Sequence, residues 1–173
     1  LAMVSVGIIS AQIGGKAMWT VPLTFVGVMI IGGIFGITAE LNKGLDDQVI
    51  TLSEAGSLKY FADYIYTIIE LGIILSVILL GLAIAIEKKL SVGLTMIFVG
   101  LFGLCHGAAH GLEMPWAANP VLFASGFAAG TAILHLFGVG TGYFSTQSTI
   151  SSILLRVAGV ACALYGCYLL LLV

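Results

Sequence analysis

Two imidazoles and a carboxylate fall within one short string, His106-Gly-Ala-Ala-His110-Gly-Leu-Glu113. Imidazole nitrogen and carboxylate oxygen are ligands for divalent transition metals. On a helix turning about 100° per residue, His110 falls about 40° from His106 and Glu113 about 20° to its other side, so the spacing predicts one shared face. The string closes an apolar run that begins at Leu90. Ionisable groups at membrane depth are costly, and by default they mark a transport or relay function.

Two further ionisable groups sit inside apolar runs. Glu70 interrupts the run Tyr64 to Ile86, roughly 9 Å from its start at 1.5 Å per residue. His106 and His110 lie at a similar depth in theirs, so Glu70 can meet both at one level. A site of nitrogen and oxygen ligands suits nickel, cobalt or zinc. Alternatively, Glu70 is protonated, or bonded to a serine or a backbone carbonyl. His135 lies late in a run that starts near Pro120, which predicts a place near the opposite end, well apart from His106. It is then a second station on a pathway, part of a re-entrant helix, or a core histidine bonded to Thr131 one turn earlier. Cys105, Cys162 and Cys167 are expected to be small buried hydrophobes, Cys105 pointing about 100° away from the His106 face. There is no CxxC motif and no disulfide framework. Ser125-Gly126 is the nearest nucleophile candidate, but Phe123 stands where a Gly-x-Ser-Gly motif needs glycine, so no enzyme is expected.

The elements that position these residues are set by composition. Of 173 residues 60% are hydrophobic and 8% charged, against roughly 25% charged in ordinary soluble domains. Apolar stretches recur near the length that a bilayer demands, about 20 residues. They are Trp19 to Thr38, Tyr64 to Ile86, Leu90 to about Gly111, Val121 to about Val139, and Ile153 to Val173. Leu1 to Ala11 is apolar but too short to cross, and is expected to be the back half of a span. The chain is therefore expected to be all-α, a polytopic bundle of six transmembrane helices with the first truncated at the N-terminus. One transmembrane domain takes in residues 1–173, and its sizeable extramembrane piece is the loop 40–63. There Asn42-Lys43-Gly44 reads as a turn, and Leu52 to Tyr66 as a short interfacial helix. Tyr60, Phe61, Tyr64 and Tyr66 supply an aromatic girdle.

Loop charges set the orientation. Lys16, Lys88, Lys89 and Arg156 fall on one side. Lys43 and Lys59 fall on the other, outweighed there by Glu40, Asp46, Asp47, Glu54, Asp63 and Glu113. The positive-inside rule places the first side in the cytoplasm, with the His-Glu cluster and the C-terminus exoplasmic. Gly32/Gly36, Gly103/Gly107/Gly111, Gly126/Gly130 and Gly138/Gly142 are small residues four apart, which let membrane helices approach closely. No nucleotide-binding glycine pattern occurs, and no nucleic-acid partner is expected.

At these residues the chain resembles a known family. Gly103-Leu-Cys-His106-Gly-Ala-Ala-His110-Gly-Leu-Glu113-Met-Pro115 is similar to the signature of the HupE/UreJ membrane proteins, hydrogenase/urease accessory proteins associated with nickel or cobalt uptake. Gly126-Phe127 with Thr131 and Leu134-His135-Leu136 resembles that family's fifth helix, and Glu70-Leu71-Gly72 with Ser76 its third. Leu1-Ala2-Met3, Gly7 and Gln12-Ile13-Gly14-Gly15 resemble the back half of its first helix and the following turn. The family carries a further His-Asp-His motif just before the segment matching Leu1-Ala2-Met3, and this chain begins immediately after that point. The resemblance implies an inward permease for nickel, with cobalt second, in the plasma or inner membrane. His106, His110, Glu113 and Glu70 would strip part of the ion's hydration shell at the outer mouth. The metal is then cargo, and no permanently bound cofactor is expected. Capture by neutral imidazole weakens as pH falls toward about 6.5, the unperturbed histidine pKa. The rival expectation is a non-transporting subunit of a larger membrane complex, with His106 and His135 holding a haem, a pigment or a structural ion.

Overall fold

The computed structural model describes residues 1–46, 52–87, 90–115 and 118–172, without the side chains of 40–46 and 52–62. Lys88, Lys89, Asp47 and Val173, which entered the orientation and span assignments, lie outside the described residues. So do Trp116 and Ala117. The described residues form six helices and no strand: α1 (Ala2–Ile13), α2 (Ala17–Asp46), α3 (Leu52–Ile86), α4 (Val92–Leu112), α5 (Pro120–Ser145) and α6 (Thr149–Leu170). Five are long and apolar enough to cross a membrane, and α1 is shorter.

Local signals explain most of the boundaries. Gly14 and Gly15 turn α1 into α2 with φ of 79° and 57°, a region that costs residues with a Cβ. The Ser91 side chain accepts from the Leu94 amide at 3.4 Å and caps α4. The Asn119 side chain accepts from the Val121 and Leu122 amides at 3.0 and 3.2 Å, and Pro120 follows as the first residue of α5. That pairing starts a helix well, because proline lacks only a donor that would be unpaired there. Two expectations are corrected. Asn42-Lys43-Gly44 continues α2 instead of turning, since a glycine inside a helix costs only about 1 kcal/mol. The fifth helix also runs past Val139 to Ser145.

The bundle is built from three helix pairs, α2 with α4, α1 with α5 and α3 with α6. Glycine makes each seam. In the first, Gly32 and Gly36 of α2 press on the carbonyl oxygens of Leu104 and Ala108. Gly103, Gly107 and Gly111 of α4 press on those of Phe25, Met29 and Gly33 in return. A Cβ at Gly103 would lie 2.8 Å from the Phe25 oxygen, and one at Gly107 would overlap the Met29 oxygen outright. The residue numbers rise together along both helices, so the pair is parallel. Gly7, Gly138 and Gly142 close α1 on α5 in the same parallel manner, whereas Gly81, Gly159 and Gly166 join α3 and α6 antiparallel. Gly126 and Gly130, with the same spacing, face open space.

The core between the pairs holds Val6 and Ile9 of α1, Val21, Phe25 and Met29 of α2, Leu80 and Ile84 of α3, and Val99 and Phe102 of α4. The outward faces are apolar too, with Leu23, Ile31, Ile97, Leu101, Leu154 and Val157 among the exposed side chains. An apolar exterior around satisfied helical backbones is what a bilayer requires.

Candidate functional site

Two of the three histidines are buried and meet one aromatic ring. His106 on α4 is 7% exposed and His135 on α5 is 2% exposed. The Phe25 ring of α2, fully buried, lies 5.6 Å from the His106 ring and 5.0 Å from the His135 ring, centroid to centroid. The expected separation of His135 from His106 is thereby corrected. Fifteen residues from Pro120 imply a depth near the far end of a span of ordinary length, but α5 has 26 residues. It is about 39 Å long at 1.5 Å per residue, more than a core of about 30 Å absorbs without tilt or overhang.

Each buried imidazole is held the same way. His106 Nδ1 lies 2.9 Å from the Phe102 carbonyl oxygen, and His135 Nδ1 lies 2.8 Å from that of Thr131. A carbonyl can only accept, so Nδ1 donates in both rings and the lone pair is on Nε2. The expected bond between His135 and Thr131 is therefore present. It satisfies only half of the ring, because His135 Nε2 is buried without a hydrogen-bond partner. The surroundings are soft and weakly polar. The Thr131 hydroxyl turns to the Met3 sulfur at 3.8 Å, and Met29, fully buried, lies one turn from Phe25 on α2.

The remaining predicted residues lie elsewhere. His110, one turn beyond His106, is half-buried. Its ring lies tilted against that of Phe127 at 4.3 Å between centroids, and its Nδ1 is 3.8 Å from Glu113 Oε2. Glu113 is exposed and ends α4 as its C-cap. A small cavity of about 30 Å³ lies beside His110, lined also by Met29, Gly33, Gly107, Gly111 and Phe127, large enough for a water molecule. Glu70 is exposed on α3. Among the described residues no three His, Cys, Asp or Glu side chains gather closely enough to hold one ion. The five predicted residues thus stand as separate elements: a buried His106–His135 pair through Phe25, a His110–Glu113 pair beside the cavity, and Glu70 as a solitary carboxylate.

Cys105 faces α3, where a Cβ at Gly72 would lie 2.5 Å from its Sγ, and takes no part in the histidine pair. The Ser125 hydroxyl donates to the Leu122 carbonyl at 3.0 Å on an exposed face of α5. Phe25 was not among the residues that the sequence singled out. An aromatic residue in an apolar run carries no mark of facing the core, and only its contact with both imidazoles identifies it.

The profile of a protein family described as HupE / UreJ protein matches residues 1–55 and 48–169 of this chain. Protein HupE of Rhizobium leguminosarum bv. viciae is similar to it, 37% identical over 170 residues that take in 98% of this chain and 76% of that protein. No solved structure matches.

Proposed function

The chain belongs to the HupE / UreJ family, and from that premise we propose that it is a membrane permease for divalent nickel, with cobalt second. The observation that carries the proposal is the pair of buried histidines His106 and His135, each with Nδ1 bonded to a carbonyl one turn back. Metal-ligating histidines commonly donate their second ring nitrogen to a carbonyl or carboxylate, which fixes the tautomer and aims the other nitrogen at the ion. The unpartnered Nε2 of His135 is otherwise an uncompensated cost in a protein interior. A borderline-soft ion with a preference for imidazole offsets that cost.

In this mechanism Glu113 and His110 attract and partly dehydrate the ion at the exoplasmic end. The ion enters the cavity beside His110, and its transfer to His106 and His135 exchanges water for imidazole. Two neutral ligands hold a divalent ion loosely enough to release it, as conduction demands. Glu70 has at most a long-range electrostatic part, since it is exposed on α3. The haem-binding alternative would need room for a porphyrin beside two imidazoles that both pack against the buried Phe25 ring.

Cobalt is a suitable probe, because its visible absorption reports ligand replacement. Purified protein titrated with Co2+ should develop imidazole-dependent bands that His106→Gln and His135→Gln each abolish. Wild-type spectra in both variants, or none in any form, would remove the buried pair as the metal station.

A further inference from the structure

We infer that Pro22 is a positioning residue of this pathway, the joint that lets the His135 half of the ion site part from the His106 half. The inference rests on the permease reading and adds the step by which the ion is let go. His106 lies between Gly103 and Gly107 on α4, in the seam that fixes α4 to α2. His135 belongs to a different pair, since a Cβ at Gly7 of α1 would overlap its carbonyl oxygen. Each imidazole is thus fixed to its own helix pair, backbone against backbone. Between the pairs the contact at this level is made by rings, with Phe25 of α2 against both imidazoles at 5.6 and 5.0 Å between centroids. Side chains in contact can change rotamer, whereas two backbones meeting at glycine cannot shift without parting the seam.

The chain supplies slack between the two pairs. α1 turns into α2 at Gly14 and Gly15, with φ of 79° and 57°. Pro22 follows, buried inside α2. Proline brings no amide hydrogen, so the helical bond to the Met18 carbonyl is not made, and its ring crowds that oxygen. Its place coincides with a change in the seam. The carbonyl oxygens of Phe25, Met29 and Gly33 bear directly on Gly103, Gly107 and Gly111. Before Gly103 that contact ends: a Cβ at Gly100 would meet side-chain carbons of Thr24 and Val28 at 3.8 Å, an ordinary distance, and Gly93 faces open space. α2 is therefore clamped from Phe25 toward Gly36, while its first turns hang between a helix-breaking residue and a glycine turn. Hinges are a few residues that absorb backbone rotation near element ends. Flexing at Pro22 and at Gly14–Gly15 moves the α1–α5 pair against the α2–α4 pair with both seams intact. The imidazoles, one on each body, then separate, and two ligands become one. Rocking of one helix group against another about a central site is a known route to alternating access.

The test uses the full chain in proteoliposomes enclosing a metal-quenched fluorophore, with Co2+ binding followed in parallel by visible absorption. Pro22→Ala restores the missing amide and stiffens α2. The kcat for Co2+ uptake should fall severalfold, with KM and the Co2+ bands nearly unchanged. Pro22→Gly, also a weak point in a helix, should recover most of the rate. Wild-type uptake by Pro22→Ala with binding intact would overturn the joint and leave the permease reading standing. Equally slow uptake by both variants would mean that the proline ring only fills space, and altered Co2+ bands that it shapes the resting site; either result overturns the joint. A wild type that neither binds nor carries Co2+ would overturn the permease reading and the joint together. Should Pro22→Ala fail to assemble, Pro22→Val, which also restores the amide and refills the space of the ring, serves under the same criteria.

Discussion

His106 and His110 are neighbours on one helix, four residues apart and chemically identical, yet the fold gives them different work. His106 is buried against Phe25, its Nδ1 bonded to Phe102, and His135 comes from α5 to the same ring. His110 is half-buried, bordered by Phe127 and an exposed carboxylate at Glu113. The inner pair is held by backbone carbonyls on two glycine-locked helices, so under the proposed permease function its rings are set before an ion arrives. The outer pair has fewer contacts, and under the same proposal its members turn to meet the ion. Preorganisation confers affinity and selectivity, whereas mobility near a charged rim favours rapid capture.

The largest effect should come from the frame that holds the inner pair. Gly107→Val places two methyl groups where the Met29 carbonyl already sits, forcing α2 and α4 apart. Almost no monodisperse protein should survive gel filtration after extraction from membranes. Gly126→Val, at a glycine of the same spacing facing open space, should behave like wild type. Equal behaviour of the two would mean that the seam is not the source of the inner pair's rigidity.

Next in size is the loss of an inner ligand. His135→Ala should weaken Co2+ binding by roughly 100-fold or more, beyond the 10–100-fold that second-shell changes bring about, with the protein still folded by circular dichroism. Calorimetric titration gives the number directly, and a loss below tenfold would place the affinity elsewhere. For His110→Ala the contrast predicts a rise of about tenfold in the KM for uptake with kcat nearly unchanged, because a rim group acts on capture. A fall in kcat with constant KM would move His110 into the inner stage. Glu70→Gln should be the mildest. An exposed residue away from such features changes energies by about 0.5 kcal/mol or less, roughly twofold in affinity. A tenfold loss in direct Ni2+ binding would restore Glu70 to the ligand set.

The spans were legible because apolar length is a direct demand of the bilayer: α4 and α6 begin and end within a few residues of their runs, whereas α2 continues to Asp46, α3 already starts at Leu52 and α5 continues to Ser145. The glycine spacing marked the residues of α2, α4 and α5 that the structure puts in the α2–α4 and α1–α5 seams, without pairing the helices. It did not separate Gly138 and Gly142, which touch α1, from Gly126 and Gly130, which touch nothing, because spacing shows a smooth face and not its partner. Gly7, Gly81, Gly159 and Gly166 were missed since each meets its partner outside a four-residue repeat. The histidines were found by residue type alone. That His106 joins His135 instead of Glu70 depends on helix tilt and overhang, which residue counting along a span does not supply.

The α2–α4 seam bears on a question of energy. Between lipid-immersed helices the hydrophobic effect gives no net attraction, since the solvent is as apolar as the side chains. In the seam each glycine directs an α-hydrogen at a carbonyl oxygen of the facing helix, Gly32 and Gly36 at Leu104 and Ala108, and Gly103, Gly107 and Gly111 at Phe25, Met29 and Gly33. These are the conditions for Cα–H···O hydrogen bonds, each contributing about 0.5–1 kcal/mol. They form a reciprocal ladder that joins two parallel helices by main chain alone. Since Phe25 and Met29 supply two of its acceptors, the polar contacts that hold the bundle together also anchor the backbone beneath the ring that both buried histidines meet.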